Sequence, residues 1–151
     1  KEALLGAAID AAALELARAF AEGVASPERG WPRVESVVRS VFRLAARRPS
    51  VLALVREVSR VGPPHASRLT AALDPHIASA TAFLTADMDA GRLRPHEPRL
   101  VLLLAYSAVL VATTEVEALR AVGEEPTPRS LLRRRRDLLA FFRAALEPLE
   151  P

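Results

Sequence analysis

The chain has 151 residues, half of them hydrophobic, with 21 basic and 18 acidic side chains for a net charge of +3. That is ample apolar material for one domain, and too even a charge balance to mark a nucleic-acid binder by itself. It holds no cysteine, which excludes a disulfide framework, a thiolate metal site and a thiol nucleophile. The longest apolar run, Leu100 to Ala112 broken only by Ser107, is shorter than the roughly 18 to 20 residues a bilayer crossing needs, so no membrane partner is expected. No charged-then-apolar leader precedes the first helix, and the cytoplasm is the expected compartment.

In chain order, Leu5, Ile9, Ala12, Leu16 and Phe20 repeat at three-to-four spacing and predict a first helix from the very start of the chain. That helix lacks a capping residue, so its natural beginning is expected upstream of Lys1. Gly23, Pro27, Gly30 and Pro32 punctuate a loop, and Val34, Val37, Val38, Val41, Leu44 and Ala45 give a second helix over about Pro32 to Arg47. Pro49 opens a third helix to about Arg60, which Gly62, Pro63 and Pro64 end. A fourth runs from His65 to about Asp89, with Pro75 either kinking it or starting a new one; a kink is favoured.

Gly91 and Pro95 mark the next turn, and Pro98 opens a long fifth helix to about Ala121. The last helix, from about Thr127 to Leu146, repeats Leu131, Leu138 and Ala145, and also Leu132, Leu139 and Leu146, at sevenfold spacing; two seams imply two neighbours. No stretch alternates apolar and polar residues over strand length, and no solenoid repeat is present. The expectation is an all-α, six-helix bundle over residues 1–151.

Three short motifs then suggest a family. Lys1-Glu2-Ala3-Leu4 resembles the start of the fourth helix in TetR-type transcriptional regulators, where Lys-Glu-x-Leu follows the helix-turn-helix. Arg48-Pro49-Ser50-Val51-Leu52 resembles a recurring helix opening of that family. Ala90-Gly91-Arg92-Leu93-Arg94, followed by Glu97-Pro98, resembles its Gly-x-Leu-Arg turn before the long eighth helix. The resemblance covers essentially the whole chain as a C-terminal effector-binding and dimerisation domain. It implies a DNA-binding head upstream of Lys1, contact with operator DNA only through that head, and a DNA phosphate contact for Lys1 in the full-length protein.

The titratable residues give little chemistry. His65 and His76 lie about 16 Å apart along one helix, too far to share a metal, and His96 has no partner nearby, so no metal or other cofactor is expected. No nucleophile stands in a strained turn and no glycine-rich loop offers a phosphate cradle, so no catalytic residue is assigned and an enzyme is not expected. Asp87 and Asp89 point about 200° from each other on a helix and read as a solvated helix end. The run Arg133 to Arg136 circles the helix axis instead of forming a stripe, and reads as salt-bridged or snorkelling, with Glu115, Glu117, Glu124 and Glu125 as partners.

Aromatic and polar residues on otherwise apolar helices suggest a ligand pocket lined by Trp31, Phe42, Val58, His76, Phe83, Tyr106 and Thr113. The nearly all-apolar fifth helix and the two seams of the sixth offer more apolar surface than one chain covers. A homodimer in which these helices form a four-helix bundle would cover it, through Val116, Leu119, Leu131, Leu138, Phe142 and Leu146. As the resemblance implies, a small apolar effector between the first, fourth and fifth helices would alter the DNA affinity of the full-length protein. The competing expectation is a helical dimerisation or interaction module with no ligand.

Overall fold

A computed structural model describes residues 2–149. Seven helices follow one another: α1 (Glu2–Val24), α2 (Trp31–Arg47), α3 (Pro49–Val61), α4 (His65–Asp89), α5 (Pro98–Thr114), α6 (Val116–Ala121) and α7 (Pro128–Leu146). There is no strand among the described residues, so the all-α expectation holds, with seven helices instead of six. None of these helices is long and apolar enough to cross a membrane. Lys1, the expected phosphate contact, lies outside the described residues.

The additional helix comes from a break in the expected fifth one. Glu115 leaves helical geometry at φ −89° and ψ 72°. Its carboxylate forms an ion pair with Arg56 of α3, so the break is fixed from another helix. The hydroxyls of Thr113 and Thr114 bond back to Leu110 at 3.2 and 2.7 Å, and that of Thr113 also to Val109 at 2.8 Å. Such back-bonding competes with the helical ladder just where the helix ends.

α1 packs most extensively on α2 and α4. Its buried stripe, Ile9, Ala12, Ala13, Leu16, Ala17 and Ala19, is dominated by small residues that let neighbouring backbones approach. The closest approach is at Gly23, where an added Cβ would stand 2.4 Å from Val37 Cα. Gly23 therefore belongs to the helix contact, not to the loop its composition suggested, and α1 continues to Val24.

α4 runs unbroken through Pro75 and presents Leu69, Ala80, Leu84 and Met88 to the core. The turn after it joins distant elements. Arg92 and Leu93 donate their N–H groups to the Asp87 carbonyl at 2.8 and 3.1 Å, with Gly91 at φ 70°. Arg94 donates its backbone N–H to Leu146 at 2.8 Å and its Nε to the Glu147 carbonyl at 2.7 Å, attaching the turn to the end of α7. α7 begins in a capping box in which Thr127 and Ser130 satisfy each other's backbone N–H groups, at 3.1 and 3.0 Å. It lays Leu139, Phe142 and Leu146 into the core, against α2 and α5.

Candidate functional site

α1 through α5 line a partly open cavity of about 950 Å³. The space arises because α4 turns only part of its apolar face into the core. Below Leu69, its next residues in register are less covered: Leu73 touches the core but is only half-buried, and Ile77 is 44% exposed. Opposite them stand Leu16 and Phe20 of α1, Val37 and Val41 of α2, and Leu102 and Val109 of α5. The wall is therefore mainly aliphatic, and opens to solvent near Ile77 and Leu103, whose side chains are among the exposed apolar ones.

Polar groups on this wall are few. Ser59, Thr70 and Thr81 each donate a hydroxyl proton to the carbonyl four residues earlier, at 2.8, 3.0 and 2.8 Å. Tyr106 Oη stands 3.5 Å from Ser59 Oγ. His76 lines this cavity and a smaller one of about 260 Å³ near the end of α1. Asp74 and Arg99 are its two charged residues, one of each sign.

Of the residues expected to form a pocket, His76, Phe83 and Tyr106 are brought together on this cavity. Phe83 also carries the Arg33 guanidinium over its ring, 5.5 Å from the centroid, a cation–π contact from α2. Trp31, Phe42 and Val58 do not line it. All three are buried in the core, because the face of α2 that lines the cavity is Val34, Val37, Val38 and Val41, and Phe42 points about 100° away from Val41. Thr113 spends its hydroxyl within α5 and is not on the wall. The valine face of α2 was visible in the sequence as amphipathic spacing; its role in a cavity was not, because that depends on which helix stands opposite.

Asp87, expected at a solvated helix end, is buried. Its Oδ2 accepts the Gly30 N–H at 2.6 Å and its Oδ1 accepts Arg92 Nε at 2.7 Å. Burial by itself pushes its carboxyl up, but the Gly30 N–H and the Arg92 guanidinium outweigh that and hold it below the ordinary carboxylate range. Asp89 stays exposed, as its position opposite Asp87 requires.

The arginine run distributes itself around α7. Arg133 pairs with Glu124 at 2.6 Å, Arg134 reaches the Ala112 carbonyl at 3.0 Å, and Arg136 turns to Asp137 at 2.8 Å. Glu115 and Glu117 pair instead with Arg56 and Arg120. Of the residues expected at a dimer contact, Leu119, Phe142 and Leu146 are covered by their own chain. Leu131 and Leu138 are half-buried and Val116 is exposed. An uncovered apolar stripe runs along α5, where Leu100, Leu103, Leu104 and Val111 share one helix face.

The sequence matches no protein-family model and no curated protein.

Proposed function

We propose that the chain is the effector-sensing and dimerisation domain of a TetR-type transcriptional regulator, a non-catalytic module that binds a small apolar molecule. The observation that carries this is the cavity of about 950 Å³, aliphatic with a few polar groups, which is the size and character of a small-molecule site. Its wall includes Leu16 and Phe20 of α1, the helix that would continue upstream into a DNA-binding head. A ligand that fits one position of α1 better than another shifts the population between them. Two heads reading half-sites must keep a strict spacing, so a small movement of α1 alters DNA affinity. Pairing with a second copy would bury the α5 stripe.

Thermal melts of the chain with a broad panel of apolar small molecules test the proposal. A ligand that binds the folded state at a hundred times its Kd raises stability by about 2.7 kcal/mol, a readily measured rise in Tm. Melts unmoved across the panel would contradict it. The stripe on α5 is the observation that favours an interaction module without ligand, for which that second outcome is expected.

A further inference from the structure

Three of the hydroxyls on the cavity wall are engaged by backbone carbonyls of their own helices. Ser59, Thr70 and Thr81 donate to the carbonyls of Val55, Ala66 and Ile77, so toward the cavity they offer lone pairs only. Tyr106 is the exception. Since the Ser59 proton is engaged by Val55, the contact between the two oxygens has Tyr106 as its donor, and at 3.5 Å it is much longer than the about 2.7 to 2.8 Å of a good hydroxyl pair. The phenol therefore holds a donor that its neighbour uses poorly, beside an oxygen that can only accept.

We infer that the ligand is a hydrophobic alcohol or phenol whose hydroxyl sits between Tyr106 and Ser59, accepting the proton of the first and donating its own to the second. This rests on the cavity reading proposed above. Two oxygens 3.5 Å apart leave the apex of a triangle at ordinary hydrogen-bond distance from both, and a hydroxyl placed there accepts on one side and donates on the other through a single oxygen. An ether or carbonyl satisfies Tyr106 and leaves Ser59 unanswered. Charge selects neither a carboxylate nor an ammonium head, because Arg99 and Asp74 balance each other on the wall. Arg99 also lies two turns from Tyr106, about 10 Å along α5, out of reach of a head group placed there.

Calorimetric titration of the chain, and of its Tyr106→Phe and Ser59→Ala variants, with decanol, decyl methyl ether and decane tests this directly. Tyr106→Phe should weaken decanol and the ether about three- to tenfold and leave decane unchanged, and Ser59→Ala should weaken decanol alone, as expected for single hydrogen bonds. If all three probes bind and neither variant separates them, the hydroxyl assignment is overturned and the cavity reading stands. If none binds, the cavity reading is overturned and the assignment with it.

Discussion

The carboxylate of Asp87 accepts the backbone N–H of Gly30 at 2.6 Å across 57 residues of sequence. Gly30 has φ 64°, and a Cβ there would stand 3.0 Å from the Arg92 carbonyl oxygen, so the loop after α1 and the turn after α4 meet where only glycine fits well. Asp87 lies one turn beyond Phe83 and Leu84, which line the cavity. One buried carboxylate thus fixes the end of the helix that forms a cavity wall.

Replacing Asp87 by Ala should therefore destabilise the fold by about 2 kcal/mol or more, because it strands the Gly30 N–H and leaves Arg92 without its anion. Asp87→Asn keeps an acceptor for Gly30 and should cost less. Urea denaturation measures both. A loss below about 0.5 kcal/mol for the alanine variant would place no weight on this contact.

The same carboxylate sets a pH dependence with a definite sign. Its pKa is held below the ordinary 3.8 in the folded chain, so the unfolded chain binds more protons at a given acidic pH. The stabilisation is fully present above about pH 4 and fades as pH falls through the lower folded value. Stability measured from neutral to acidic pH should show the gap between the native chain and Asp87→Asn narrowing below about pH 4. A gap that stays constant would mean that another interaction causes it.

Gly23 gives a steric prediction. A Cβ there would meet Val37 Cα at 2.4 Å and Val37 N at 2.8 Å, atoms of backbone that cannot rotate away. Gly23→Ala should force α1 and α2 apart and destabilise by about 3 kcal/mol, although alanine is the better helix former. A neutral or stabilising result in the same denaturation experiment would show that the two helices are less closely packed.

These three cases also show where sequence patterning stops being informative. Helix positions were legible because apolar spacing and proline starts act locally: α3 begins at Pro49 and α5 at Pro98, as composition predicts. The break at Glu115 was not, because its ion-pair partner Arg56 lies on α3. Asp87 reads as solvated until Gly30 is brought to it. His76, Phe83 and Tyr106 stand out as polar or aromatic residues on apolar helices, and they do share the cavity. Trp31 and Phe42 carry the same aromatic signal, yet they and the aliphatic Val58 are buried in the core, a direction set by the neighbouring helix and not by their own residue type.

For pairing, the α5 stripe is more informative than the residues expected at a dimer contact, since Leu119, Phe142 and Leu146 are already covered. Light scattering at tens of micromolar should give twice the chain mass, and Leu104→Glu, placing a charge in the stripe, should return it to the chain mass without unfolding. A monomer in the unsubstituted chain would rule out the stripe as a self-association surface under those conditions.

The most direct measurement of the ligand-binding proposal is a comparison of the chain with its Ala105→Phe variant. Ala105 lies on the cavity wall and is half-buried, so a phenyl ring there should occupy ligand space with little effect on the fold. An apolar ligand that raises the Tm of the native chain should leave that of a folded Ala105→Phe variant unmoved. An equal rise in both would contradict binding in this cavity.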